Sequence, residues 1–77
     1  MQLNIITPET TIYSGEATLI QLPGLDGLFE VLPRHAPIIS ALGKGKIKVE
    51  LNGENNFFDI NGGVVQVVND EVVVLAE

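Results

Sequence analysis

The fold class is decided by the stretch Lys46-Ile47-Lys48-Val49-Glu50-Leu51, which is followed by Asn52-Gly53 in this 77-residue chain. Its polar and apolar side chains alternate strictly, which is the pattern of a β-strand with one buried face. Asn-Gly is the strongest short-range signal for a hairpin turn. Asn55 and Asn56 are interpreted as a widening of this turn, and residues 57–60 as the return strand.

A second hairpin is predicted toward the C-terminal end of the sequence. Residues 64–68 and 72–75 are strand-like runs on either side of Asn69-Asp70-Glu71. Both runs are almost continuously apolar, with Val64-Val65 in the first and Val72-Val73-Val74 in the second. Such strands are either covered on both faces, or they present one face to another protein.

The first half of the chain is divided by Gly and Pro into further short segments. We predict strands over residues 3–6, 17–22 and 28–32, with Pro23-Gly24 closing the second and a tight turn at Leu25-Asp26-Gly27. Residues 38–42 fit either a strand or one helical turn. The sequence therefore predicts one all-β domain over residues 1–77, an antiparallel β-sandwich or flattened barrel of about eight to ten short strands without a long helix.

The composition argues against several classes of function. Ten acidic residues against four basic ones give a net charge of −6, which disfavours nucleic-acid binding. The chain has no Cys, and its one histidine, His35, lies in a Pro-rich connector without a recognisable catalytic set. No cofactor is expected. No apolar run approaches the roughly 18 residues of a membrane span, so we expect a cytoplasmic or membrane-peripheral protein without membrane insertion.

The balance of apolar and charged residues is unusual for so small a domain. Hydrophobic residues make up 45% of the chain and charged residues only 18%. A small domain has much surface for its volume and needs polar residues to cover it. Two interpretations stay open: an apolar patch kept for a partner, or a compact domain whose strands are simply rich in Val and Ile.

All four basic residues lie between positions 34 and 48. Lys46 and Lys48 share one face of a strand. We favour protection of an edge strand against aggregation as the explanation, and a patch complementary to an acidic partner is the alternative.

A longer motif gives the chain a family resemblance. Residues 24–37 read Gly-Leu-Asp-Gly-Leu-Phe-Glu-Val-Leu-Pro-Arg-His-Ala-Pro. This segment resembles the N-terminal β-sandwich domain of the epsilon subunit of F-type ATP synthases. The opening residues 3–9, a turn at Tyr13-Ser14-Gly15, Gly62-Gly63-Val64 and the closing residues 72–77 also match that family. Two positions depart from it, since Glu30 replaces a usual Gly and Leu28 a residue that is often polar.

The resemblance implies a rotor subunit in the central stalk of a proton-translocating complex. Its expected partners are the gamma subunit and the ring of membrane subunits, at the cytoplasmic face of the bacterial inner membrane. The chain would couple rotation to ATP synthesis without a catalytic site of its own. By the same resemblance, the expected gamma contacts are Thr7, Ile38, Ser40 and Leu42, and the expected ring contacts are Gly24, Leu25, Asp26, Gly27, Leu28, Arg34 and His35.

Family members usually continue into a C-terminal helical hairpin, which is absent from this sequence. We therefore expect no ATP binding by this chain. Two alternatives remain open for its function. One is a stand-alone all-β protein-binding module. The other is a biotinyl or lipoyl carrier domain, which would need to display Lys44 at a hairpin tip.

Overall fold

The computed structural model describes residues 1–77 and contains nine β-strands and no helix. This confirms the predicted all-β fold class. The strands are β1 (Gln2–Ile6), β2 (Thr11–Glu16), β3 (Leu19–Gly24), β4 (Gly27–Val31), β5 (Ile38–Leu42), β6 (Gly45–Leu51), β7 (Glu54–Ile60), β8 (Gly63–Val68) and β9 (Glu71–Ala76).

The strands form two layers that face each other. Hydrogen-bonded neighbours run in the order β2-β1-β9-β8-β5-β3-β6-β7, and β4 pairs with β3 alone. We call β2-β1-β9-β8-β5 the β8 layer and β4-β3-β6-β7 the β6 layer. Only one registered pair, Gly24 with Leu42, joins β3 to β5. At the opposite side the layers meet through Tyr13 on β2 and Phe58 on β7, whose ring centroids lie 5.6 Å apart.

The core fills the space between the layers. Along each strand the buried side chains alternate with outward ones, as the period of a β-strand requires. Fifteen apolar residues form one buried cluster, and the structure contains no buried polar or charged residue. Strand β6, in which polar and apolar residues alternate strictly, contributes Ile47 and Val49 to this cluster.

All strand pairs are antiparallel except one. β1 and β9 run parallel, with Gln2 opposite Glu71 and Ile6 opposite Leu75. The sequence indicated only antiparallel hairpins. Parallel neighbours need a long crossover connection, and here that connection is nearly the whole chain. No local pattern in the sequence reports such a pair.

Several turn predictions were wrong. The turn of the β6–β7 hairpin is Asn52-Gly53 alone, with φ angles of 53° and 81°, so residues 55 and 56 pair within β7. Residues 13–15 lie within β2, opposite β1, rather than in a turn. Pro23-Gly24 belongs to β3 and is opposite Leu28 and Gly27, so only Leu25 and Asp26 form the turn.

The remaining predictions can be settled by strand order. Residues 38–42 are a strand, not a helical turn. β6 lies between β3 and β7, so edge protection by Lys46 and Lys48 is the wrong explanation. Lys46 instead pairs across the sheet with Asp59, with 2.8 Å between its Nζ and the carboxylate Oδ1.

Candidate protein-contact surfaces

The outward side of the β8 layer is an apolar face. One row of side chains crosses four strands in register, from Ile6 through Leu75 and Val64 to Ala41. Leu75 is 57% exposed, and Val64 is 41% exposed. No strand of the sandwich covers this row. We call it, together with the outward residues of the next rows, the apolar face: Ile6, Ile39, Ala41, Val64, Val68, Val73 and Leu75.

The second row of the apolar face carries the most exposed large apolar side chain of the molecule. Ile39 is 73% exposed and lies opposite Gln66, which in turn lies opposite Val73. Polar side chains on this row are uncharged, and the nearest charge along β9 is Glu71 at the margin. Contiguous exposed apolar surface of this kind usually marks a contact with another protein. The Val runs in the sequence are therefore one-sided, with one face buried and the other open.

The outward side of the β6 layer has a different character. It carries the ion pair Lys46–Asp59, with Lys48 and Glu50 beside it on β6. Phe57, 57% exposed, is the large apolar side chain opposite Lys48. An exposed ion pair contributes little to stability, because water already solvates both charges. The two outer faces thus differ strongly in polarity, and the β8 layer offers the apolar one.

The residues expected to contact gamma do not all point outward. Leu42 is 4% exposed and belongs to the core, so its side chain is not available to a partner. Ile38 packs against the core, and Ser40 has the same strand parity as these two. The outward residues of β5 are Ile39 and Ala41, which were not among the contact residues expected from the sequence. Their signal was the apolar character of β5, Ile-Ile-Ser-Ala-Leu, in which Ser40 is the one polar residue.

Thr7 occupies one end of the sandwich, where β1 ends. Its hydroxyl hydrogen-bonds with residue 10, accepting the N–H and donating to the carbonyl oxygen at 3.1 Å each. Thr7 and Leu42 line the same open depression of about 730 Å³. Ser40 lines a separate depression of about 360 Å³ beside the β3–β4 hairpin. Of the four expected gamma contacts, Thr7 and Leu42 therefore lie at this end of the domain. Ser40 lies in the separate depression, and Ile38 is at the opposite end of β5 from Leu42.

The expected ring contacts fall into two groups. The β3–β4 hairpin ends at Leu25 and Asp26, between the paired glycines 24 and 27, and exposes Leu25 by 70% and Leu28 by 66%. Arg34 and His35 follow the other end of β4. A five-residue strand spans roughly 16 Å, so the structure does not bring the two groups together.

The turn that carries Arg34 is held from a distant loop. Arg34 has a φ of 67°, and its backbone N–H donates to Oδ1 of Asp70 at 2.6 Å. Asp70 belongs to the β8–β9 turn, where it and Asn69 also have positive φ angles. The backbone N–H of His35 donates to the Leu32 carbonyl oxygen at 3.1 Å. The Asp70 side chain thus fixes the backbone from which Arg34 and His35 project.

Replacing Asp70 with glycine is expected to lower the free energy of unfolding by about 1 kcal/mol, because the Arg34 N–H loses its acceptor. Glycine fits the φ of 61° at this position better than aspartate does, so relief of backbone strain offsets part of the lost hydrogen-bond energy. Urea unfolding measures the change. Asp70→Asn is the control, since its amide oxygen accepts the same hydrogen bond and asparagine tolerates this φ. Equal losses in both variants would contradict the assigned role of the carboxylate.

Other kinds of site find little support in the geometry. No group of three or more His, Asp or Glu side chains is arranged to hold a metal ion. Lys44 lies between β5 and β6, which do not pair with each other, so it is not at the hairpin tip that a carrier domain requires. The structure contains no helix that is long and apolar enough to cross a membrane.

The fold and its surfaces define a class of protein, a small β-sandwich with an apolar outer face suited to binding other proteins. The chain belongs to the ATP synthase delta/epsilon chain, beta-sandwich domain family, whose model matches residues 1–77. This confirms the resemblance identified in the sequence.

Individual relatives agree with this family. The chain is 39% identical over 77 residues to an ATP synthase epsilon chain of Chlorobium limicola, covering 99% of this chain and 88% of the relative. It is 38% identical over 76 residues to an ATP synthase epsilon chain of Desulforamulus reducens, covering 99% of this chain but only 58% of the relative. The chain thus spans little more than half the length of some relatives.

Two solved structures share the fold. A chain in the Euglena gracilis mitochondrial ATP synthase, in a structure of OSCP, F1 and c-ring, aligns with a TM-score of 0.90 at 22% identity. The alignment covers 96% of this chain and 48% of that one. A chain in the Tetrahymena thermophila mitochondrial ATP synthase central stalk and c-ring aligns with a TM-score of 0.76 at 17% identity, covering 96% of this chain and 62% of that one.

Proposed function

We propose that this chain is a central-stalk subunit of an F-type ATP synthase and passes torque between the membrane ring and the gamma subunit. Its role is mechanical. Ion flow turns the ring, and the chain keeps ring and gamma rotating together. The proposed location is the cytoplasmic face of a bacterial inner membrane, in keeping with the bacterial relatives named epsilon chain.

The apolar face is the single observation that carries this proposal. A subunit that remains bound to a partner while it transmits force needs an interface whose core is apolar and free of unpaired charge. The outward rows of β5, β8 and β9 meet that requirement. We assign the gamma contact to this face and its neighbouring end, with Ile39, Val64 and Leu75 as the side chains that gamma buries.

The ring contact is assigned to the two groups at the ends of β4. The β3–β4 hairpin carries Leu25 and Leu28. The turn after β4, which the Asp70 hydrogen bond holds in place, carries Arg34 and His35. The ordinary hairpin turn and the Asp70 hydrogen bond limit the flexibility of both groups. A rigid contact segment suits force transmission, because a loop that deforms under force does not pass torque to the next subunit.

The test is capture from detergent-solubilised membranes of a cell that contains the complex, with this chain as bait. Recovery of both gamma and ring subunits, identified by mass spectrometry, is the expected result. Recovery of neither, from membranes in which both are detected, would overturn the proposal. Recovery of gamma alone would support the apolar face and overturn the ring assignment.

A further inference from the structure

Strand β4 has one edge without a partner. Its five residues pair with β3 from Val31 opposite Ile20 to Gly27 opposite Gly24, and no other strand hydrogen-bonds to it. The backbone N–H and C=O groups that point away from β3 are therefore free to pair with another chain. Such an edge is a template for an additional strand.

Four strands of the sandwich, β2, β4, β5 and β7, have an edge that is wholly or mostly unpaired, and these edges differ in how they discourage pairing. β7 carries two charged residues, Glu54 and Asp59, and two asparagines between them. The pairing of β2 with β1 is interrupted by a register shift between Ile5 and Ile6. β4 has no lysine, arginine or proline, its register with β3 is regular, and its one charge is Glu30. β5, whose residues 38–41 lack a partner on the side of β3, is also without lysine, arginine or proline, but it carries no charge that could select a partner. β4 is therefore the unprotected edge that can select its partner by charge.

The side chains of β4 give this free edge a preference for particular residues in an added strand. Leu28 and Glu30 share its outward face, and both are exposed. Leu25 in the preceding turn and Leu32 directly after the strand are 70% and 50% exposed. A strand added to β4 would place one side chain directly beside Leu28 and another, two residues along, beside Glu30. An apolar residue fits the first position and a basic residue the second.

A second copy of this chain fits the edge poorly. Antiparallel pairing of two β4 strands, with their outward faces on the same side, places Glu30 opposite Leu28, Asp26 or the other Glu30, according to register. None of these neighbours neutralises the carboxylate, and each copy carries a net charge of −6. The partner that the edge favours is therefore a different, basic segment.

We propose that β4 binds an extended segment of a partner protein as an additional strand, with an apolar side chain beside Leu28 and a basic side chain beside Glu30. Backbone hydrogen bonds supply the pairing, and the two side chains select the sequence. This inference goes beyond the proposed function and does not depend on it, because the isolated chain alone has to bind the segment.

The test titrates the 77-residue chain with an end-capped TVTKTVT peptide, followed by NMR and hydrogen exchange. Its lysine and the nearest valine lie two residues apart, so in either orientation they reach Glu30 and Leu28. We expect slowed amide exchange confined to residues 27–31. Slowed exchange in β2, β5 or β7 instead of β4, or no binding by the peptide, would overturn the proposal.

A charge exchange tests the selectivity. Glu30→Lys should weaken binding of TVTKTVT about fivefold and strengthen binding of TVTETVT by a similar factor, since cross-strand charge pairs contribute up to about 1 kcal/mol each. Glu54→Lys, the same change at the β7 edge, should leave both affinities within twofold. If the two substitutions had equal effects, the net charge of the chain would explain the change in affinity, and the assignment to β4 would be overturned. Self-association of the free chain through β4, measured by sedimentation, would also overturn it in favour of a second copy.

Discussion

Replacement of Gly63 with alanine is expected to remove a third or more of the free energy of unfolding of this protein. Gly63 opens β8 with a φ of 151°, and a Cβ added there would overlap the carbonyl oxygen of Leu75 on the neighbouring strand. The Cβ would be attached to the backbone of β8, and the oxygen belongs to the backbone of β9. These two strands are paired with each other, so neither backbone can move without breaking the β8–β9 pairing. We expect a loss of about 4 kcal/mol. A domain of this length has a stability of roughly 4–12 kcal/mol.

Circular dichroism and urea unfolding measure this loss. The control is Gly15→Ala on β2, where the added methyl would make ordinary contacts with the Tyr13 ring, the nearest atom being 3.5 Å away. That variant should remain within about 1 kcal/mol of the parent. A Gly63→Ala protein with an unchanged unfolding midpoint would show that β8 and β9 are not packed as closely as described.

The double variant Ile39→Lys, Leu75→Lys is expected to lose binding to gamma by at least about 100-fold while staying folded. Both side chains point outward on the apolar face, 73% and 57% exposed, so the free chain accommodates the lysines in water. In the complex the two ammonium groups would be buried without partners. Truncation or charge at the centre of an interface commonly costs about 2–4 kcal/mol.

Isothermal titration with purified gamma subunit measures the affinity, and urea unfolding checks the fold. Phe57→Lys is the matched control, because it also replaces an exposed apolar side chain with lysine, but on the outer side of the β6 layer. Its affinity for gamma should be unchanged. If the double variant binds as well as the parent, gamma does not use the apolar face.

The secondary-structure elements that could be predicted from the sequence are those determined by neighbouring residues within one short segment. Strict alternation in residues 46–51 and the Asn52-Gly53 turn determine a hairpin without help from the rest of the chain. The turn expected at residues 13–15 failed because a strand at the margin of a sheet tolerates Ser and Gly, which elsewhere favour turns. The single Gly24–Leu42 junction between the layers depends on tertiary packing and has no sequence signature.

The sequence did not reveal which side chains of the candidate site face outward. The family resemblance indicated Ile38, Ser40 and Leu42 as gamma contacts on β5, yet strand parity buries Leu42 and exposes Ile39. Which parity faces the core depends on how β5 pairs with β8, and that register is set by residues more than twenty positions away. The wide separation of Arg34 from Leu28 was equally hidden, since it follows from the length of β4 as an extended strand.

The parallel pairing of β1 with β9 has a consequence for how the protein is made. The first strand of the sandwich, β1, has β2 on one side and, on the other, β9, which is the last strand of the sandwich to leave the ribosome. The hairpins β3–β4 and β6–β7 can form as soon as their own residues emerge, because their contacts are local. The β8 layer has a gap at its centre until β9 arrives to fill it. The sandwich therefore cannot reach its native state before residues 71–76 have emerged, and a nascent chain that stalls before that point would expose Leu3 and Ile5 to chaperones.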